Sequence, residues 1–165
     1  MRKVLVGLLV VIAITAAGCL KKESGCPYKG TSVIASAAEQ QAIQDYLDSS
    51  HITNAIKHSS GMYYQIMEKG TGGSPELCSQ ILVDYTGKLR NGTVFDSGNS
   101  IRFTLGSLIE GWKTGIPLVQ RGGSIILYVP PSLGYGYYDV KDSGNNVVIP
   151  ANSMLIFTIT LLDWQ

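Results

Sequence analysis

From Ser60 to Trp164 the apolar residues alternate with polar ones, the period-2 signature of half-buried strands. Ser153–Trp164 is the clearest case. Leu155, Phe157, Ile159 and Leu161 fall on one face, and Ile156, Thr158, Thr160 and Leu162 on the other. Ile81, Val83, Tyr85 and Gly87 alternate in the same way with Leu82, Asp84 and Thr86. Met62–Met67, Arg102–Leu105 and Ser124–Val129 are further strand-like runs. The glycine-rich stretch Gly70 to Pro75 reads as a turn, and Asn91-Gly92 predicts a two-residue hairpin, because both residues tolerate positive φ. Two segments follow a helical period instead. Ala38, Ala42, Ile43, Tyr46 and Leu47 recur at helical spacing, and Ser36 stands three residues before Glu39, a capping-box pair. These predict an amphipathic helix over Ala37–Ser49. Ile109 to about Ile116 predicts a short second helix, stopped near Pro117. The expected fold is α+β, an antiparallel sheet wrapped around one short helix with an N-terminal helical extension.

The N-terminus adds a different kind of signal. Arg2 and Lys3 precede an apolar run from Val4 to Ile14, and Thr15-Ala16-Ala17-Gly18-Cys19 follows. A basic start, a short apolar core and small residues make a secretory signal peptide. The run is shorter than the roughly 20 apolar residues of a comfortable span. Small residues directly before a cysteine resemble the bacterial lipobox, with Ala16 where Leu is usual. That resemblance implies cleavage after residue 18 and lipid attachment to Cys19; the alternative is ordinary secretion with Cys19 free or paired. The expected organisation is a signal over 1–18, a tether and helical extension over 19–59, and one domain over 60–165. The expected place is the bacterial cell envelope, with the protein lipid-anchored in a membrane and facing the periplasm or the cell surface.

Charge and cysteines narrow the reading. Removing Arg2 and Lys3 takes 13 basic residues to 11 against 12 acidic ones, so a net +1 becomes −1. Such a balance offers no electrostatic case for nucleic acid. With Cys19 given to lipid, Cys26 and Cys78 remain as a candidate disulfide, two free thiols being the alternative. Two cysteines without a His–Cys cluster do not supply four zinc ligands, so neither a metal nor a cofactor is expected. His51 and His58 have no acidic or Cys partner close in sequence and are assigned to surface or packing. No G-x-S-x-G elbow or phosphate-binding G-x-x-x-x-G-K-[ST] loop occurs, and Asp139 stands where a dinucleotide fingerprint needs its third glycine. Asn91-Gly92-Thr93 matches a glycosylation pattern, but the hairpin turn explains it better.

The remaining pieces form an ordered set. They are Val83-Asp84-Tyr85-Thr86-Gly87, Val94-Phe95-Asp96-Ser97, Phe103-Thr104-Leu105-Gly106, Leu108-Ile109-Glu110-Gly111-Trp112, Gly134-Tyr135-Gly136, Ile149-Pro150 and Leu155-Ile156-Phe157. No piece is specific alone. In this order they resemble the FKBP-type peptidyl-prolyl cis-trans isomerases. The resemblance implies the sheet-and-helix fold above and one aromatic pocket. Trp112 would be its floor, with Tyr85, Phe95, Phe157, Leu108 and Ile109 as walls. The Tyr135 hydroxyl would bond a substrate carbonyl, Asp96 would be the acid at the rim, and the Ile109 amide a further donor. Asp96, Tyr135 and Phe95 are the catalytic candidates. Tyr85, Leu108, Ile109, Trp112 and Phe157 are the substrate-binding ones. Phe103, Leu105 and Leu155 are assigned to the core.

The chemistry suits those residue types. Turning an X-Pro bond means crossing a barrier of about 20 kcal/mol set by amide resonance, with no need for a nucleophile or a metal. The twisted amide is less dipolar than the planar one, so an apolar pocket favours it. Rigid aromatic walls and a few placed polar groups are what such a site needs. The expected function is therefore a prolyl isomerase assisting exported proteins. Unfolded chains with X-Pro bonds would be its partners, and tacrolimus- or rapamycin-type ligands could compete. The alternatives are a non-catalytic chaperone or peptide-binding lipoprotein, and a structural envelope lipoprotein keeping only the fold. Two departures from the family pattern stand out. Ser97–Arg102 lacks the Arg that commonly pairs with the acid, and Tyr137–Val147 is a longer loop than minimal members carry.

Overall fold

The structure is a computed structural model, and it describes residues 25–165. The signal-like segment and Cys19 lie outside the described residues. In chain order the elements are α1 (Ala37–Ser49), β1 (Ile56–Lys57), β2 (Tyr63–Glu68), β3 (Gln80–Leu89) and β4 (Val94–Thr104). Then come α2 (Glu110–Gly115), β5 (Ser124–Val129), β6 (Val140–Lys141), β7 (Val147–Ile149) and β8 (Leu155–Trp164). Six strands form one antiparallel sheet in the order β1-β2-β5-β8-β3-β4. β8 holds the middle because its alternation gives it a buried side chain at every second position, Leu155, Phe157, Ile159 and Leu161.

One face of the sheet packs on α2. Ile81 and Val83 of β3, Ile125 and Leu127 of β5, and the buried residues of β8 meet Trp112 and Ile116 there. Two glycines let the helix lie close against β5. A Cβ at Gly111 would sit 2.6 Å from Val129, and one at Gly115 would sit 2.5 Å from Leu127. The short helix ends as Ile116–Leu118 tightens into a 3-10 turn around Pro117.

The other face carries α1. Its capping box is complete: the Ser36 hydroxyl accepts from the Glu39 amide, and the Glu39 carboxylate accepts from the Ser36 amide. Ile43 and Leu47 bury against Tyr63, Tyr128 and Met154. Full burial of such aliphatic side chains contributes about 1.5–3 kcal/mol each. Beneath them, Gln65 accepts from the Tyr128 hydroxyl at 2.6 Å and donates to Asn54, satisfying the polar groups of this interface.

Cys26 and Cys78 form a disulfide, with their Cα atoms 5.7 Å apart. It fastens the segment ahead of α1 to the turn that leads into β3, and the Tyr28 ring lies directly on Gly106. A Cβ at Gly106 would fall 2.2 Å from that ring.

Local structure departs from the sequence reading in four places. The β3–β4 hairpin forms, but not through a two-residue turn. The Leu89 amide bonds the Thr93 carbonyl, and only Gly92 takes positive φ (87°), as in a three-residue loop ending in a bulge. β4 runs unbroken from Val94 to Thr104, whereas alternation alone predicted a strand from Arg102. Leu105 leaves that strand for a 3-10 turn, Leu105–Ser107. Finally, the segment read as a long loop contains the small β6–β7 hairpin.

Candidate functional site

Two bulges in β4 shape the site. The pairing runs from Lys88–Val94 to Gly87–Asp96, which leaves Phe95 as an extra residue. Two residues of β4 therefore oppose Gly87, and both neighbours reach the α2 face, which strict alternation would forbid. The Phe95 ring lies over Gly87, where a Cβ would come within 2.6 Å of it. Asp96 accepts a 2.8 Å hydrogen bond from the Tyr85 hydroxyl. The second bulge falls between the Val83–Ile101 and Tyr85–Gly98 pairs. There Ser100 takes φ 53°, and its amide donates to Asp84 Oδ1 at 2.6 Å. The carboxylate of Asp84 thereby takes up a backbone donor that the bulge removes from the ladder.

Between the curled end of the sheet and α2 lies a cavity of about 270 Å³. Tyr85, Phe103, Trp112 and Phe157 supply its rings, Leu108 and Ile109 its aliphatic wall, and Asp96, Ser107 and Tyr135 its polar lining. Trp112 is 4% exposed and meets three rings edge-to-face, Tyr85 at 5.2 Å, Phe157 at 5.3 Å and Phe103 at 5.9 Å. Such tilted pairs hold the indole rigid. Its Nε1 is buried without a hydrogen-bond partner. Ile109 caps α2: its carbonyl accepts from the Trp112 and Lys113 amides, which leaves its own N–H outside the helix ladder.

The polar groups gather on one side. Burial, then the hydrogen bond and charge of Asp96, push the Tyr85 phenol up to about 12. Burial and the same carboxylate raise that of Tyr135. Both phenols therefore stay protonated at neutral pH, able to donate. The described ion pairs, Lys113–Glu110 and Arg121–Asp163, do not include Asp96. A tyrosine hydroxyl holds this carboxylate instead of an arginine.

The structure brings Tyr85, Asp96, Leu108, Ile109, Trp112, Tyr135 and Phe157 together around this cavity. Phe95 is not on its lining. The ring packs on Phe157, centroids 5.6 Å apart and nearly perpendicular, and supports that wall. Phe103, assigned to the core from alternation, packs against that core and also lines the cavity, and Ser107 lines it too. Alternation correctly turns Phe103 toward α2; it carries no information on where packing on that face is incomplete. Leu105 and Leu155 are fully buried. His58 accepts from the Ser60 amide at 3.1 Å, a local turn contact. A larger cleft, about 410 Å³, lies between residues 30–34 and Lys113, but no Phe, Tyr or Trp lines it. Among the described residues no group of three or more His, Cys, Asp or Glu could hold a metal, and no helix is long and apolar enough to cross a membrane.

An antiparallel sheet wrapped on a short helix, with an aromatic cavity between them, defines an FKBP-like fold. Residues 72–162 match the family model of the FKBP-type peptidyl-prolyl cis-trans isomerases, and the chain belongs to that family. A probable FKBP-type peptidyl-prolyl cis-trans isomerase of Haemophilus influenzae is 42% identical over 108 residues, 63% of this chain and 43% of that protein. The FKBP-type isomerase FkpA of Escherichia coli is 38% identical over 109 residues, 64% of this chain and 38% of that protein. The chain thus spans less than half the length of these relatives. The crystal structure of Escherichia coli FkpA superposes with a TM-score of 0.65 at 32% identity, covering 78% of this chain and 61% of that one.

Proposed function

We propose that this chain catalyses cis-trans isomerisation of X-Pro bonds in exported polypeptides at the bacterial cell envelope. The observation that carries the reading is the cavity itself: a rigid indole floor ringed by aromatic edges, with one carboxylate and two protonated phenols on one side. A proline ring fits against Trp112, and the residue before it meets Phe103 and Leu108. Excluding water there favours the less dipolar, twisted amide over the planar one. The Tyr135 hydroxyl and the Ile109 N–H fix the chain on either side of the bond. Asp96, held by Tyr85, faces the amide as it turns. Phe95 acts through Phe157 as a support.

The envelope location rests on the signal-like segment and the lipobox-like Ala17-Gly18-Cys19. Produced from its full sequence in a bacterial host, the protein should partition into detergent without residues 1–18, and Cys19→Ala should release it or leave it unprocessed. Correctly processed wild-type protein free of lipid would contradict the anchor.

The activity is tested by NMR exchange spectroscopy on peptides with an apolar residue before Pro. Acceleration that tacrolimus or rapamycin suppresses is the expected result. Folded protein without acceleration across varied X-Pro peptides overturns the enzyme reading. Peptides that still bound at Trp112 would then identify a non-catalytic binding module.

A further inference from the structure

The helical extension reaches the loop that carries Tyr135 through the Glu39 side chain. Glu39 lies in the first turn of α1, yet its carboxylate serves two parts of the chain. Oε2 accepts from the Ser36 amide at 2.8 Å and closes the capping box. Oε1 accepts from the Ser132 amide at 2.8 Å, and Oε2 also takes the Ser132 hydroxyl at 3.1 Å. Ser132 is 93 residues away in sequence, in the 3-10 turn Pro131–Leu133 that follows β5. A capping box needs only the first of these contacts.

That turn carries Tyr135. The Gly134 and Gly136 amides both donate to the Pro131 carbonyl, at 3.0 and 2.9 Å, so the two residues flanking Tyr135 hang from a single acceptor. The Asn152 amide holds the Gly136 carbonyl at 3.0 Å. Glu39 grips the residue next to Pro131. Tyr135 itself is 44% exposed, so side-chain packing fixes it only in part. Its position depends on the backbone beneath it, and the α1 carboxylate is one anchor of that backbone. Burial opposes ionisation of Glu39, but the amides and hydroxyls of Ser36 and Ser132 outweigh it and hold the carboxyl below its ordinary value. The anchor is therefore charged at neutral pH, and bonds to a charged acceptor are the stronger kind.

We propose that Glu39 is a positioning residue for the isomerase site, through which the N-terminal helix sets the placement of Tyr135. The inference rests on the isomerase reading for its effect on rate, but not for its effect on structure. The two are separated by measuring both in the full chain. Glu39→Ala should speed hydrogen exchange at the Gly134 and Gly136 amides by about tenfold or more while α1 stays docked. It should also lower kcat/KM about 3- to 10-fold, the equivalent of one or two hydrogen bonds. Glu39→Gln keeps one acceptor oxygen and should fall between. Ser132→Ala removes only the hydroxyl contact and should give a smaller loss of the same kind; it serves as the main variant if Glu39→Ala unfolds. A merely structural role would add to any other defect. A positioning role predicts that in a Tyr135→Phe background Glu39→Ala costs less than about twofold further. Full additivity, or unchanged exchange at Gly134 and Gly136, overturns the proposal. A wild-type chain without isomerase activity would defeat the isomerase reading instead, and amide exchange alone would then decide the clamp.

Discussion

The two faces of the sheet are built from the same kinds of residue and end in different states. On one face α1 meets Tyr63, Tyr128, Met154 and Ile156 and buries Ile43 and Leu47 completely, and the clefts that remain run along the helix edges, beside Gln44 and Asp48 and beside Glu39 and Arg90. On the other, α2 meets Phe157, Trp112, Tyr85 and Phe103, and a cavity of about 270 Å³ remains. Composition does not separate them; backbone regularity does. β5 pairs with β8 without a break, and α1 lies on the side chains that point outward there. β3 and β4 carry two bulges, and the helix they curl around is only six residues long. A short helix on a curled sheet cannot fill the whole concave face, and the unfilled part is the site. Packing that closes contributes stability; packing that stays open offers a ligand a place.

The sharpest test of that contrast is one deletion on each face. Phe157→Ala removes a cavity wall and the partner of both Trp112 and Phe95, so kcat/KM should fall by more than about tenfold, with stability reduced by about 3–5 kcal/mol. Leu47→Ala should cost about 2–5 kcal/mol in urea unfolding, while the folded fraction keeps kcat/KM within about twofold. A Leu47→Ala protein that unfolds normally but loses activity as Phe157→Ala does would erase the distinction.

Reduction of Cys26–Cys78 comes next in size. The loop between the two cysteines spans 52 positions, for which the chain-entropy model gives about 4 kcal/mol. Thermal unfolding with and without reductant measures it. Because Tyr28 sits on Gly106, next to Ser107 and Leu108, reduction should also perturb that wall of the cavity more than the α1 face. Equal perturbation of both faces would contradict this.

The polar groups should matter less than the walls. Asp96→Asn and Tyr135→Phe each remove one charge or one hydroxyl, so losses of about 2- to 13-fold in kcat/KM are expected, with unfolding midpoints nearly unchanged. A last test is pH dependence, and it should touch both faces alike. Tyr85 on the cavity face and Tyr128 on the α1 face are both pushed up to about 12, burial being the main cause. Unfolded tyrosines ionise near 10, so the unfolded state releases protons first as pH rises. Stability is fully present below pH 10 and should fall between about 10 and 12. Ultraviolet phenolate absorbance alongside circular dichroism would show it, and stability flat across that window would count against both shifts.

Much of this was legible in the sequence, for identifiable reasons. The Ser36–Glu39 pair and the spacing of Ile43 and Leu47 marked α1 because a capping box and a helical stripe are local signals. The alternation of Leu155 through Leu161 marked β8 for the same reason. The bulges were not legible. Nothing local in Phe95-Asp96 or in Asn99-Ser100 states that the partner strand will oppose two residues with one, since that depends on the pairing as a whole. The same gap hid the second role of Phe103, which packs on the core as expected and also lines the cavity. Glu39 was visible as a cap, but its grip on Ser132 joins residues 93 apart and needed the fold.

The chain contains two tryptophans, Trp112 on the cavity floor and Trp164 at the far end of β8, where its indole donates to the Gly73 carbonyl at 3.2 Å. Their indole N–H resonances therefore report separately on the cavity and on the rest of the sheet. The decisive measurement titrates a Leu-Pro peptide into the labelled full chain, following both indoles and the peptide's cis-trans exchange in the same samples. The account predicts that the Trp112 signal shifts while Trp164 and α1 do not, and that exchange accelerates in step with that shift. Acceleration without movement of Trp112, or a saturated Trp112 signal with exchange still at the uncatalysed rate, would contradict it.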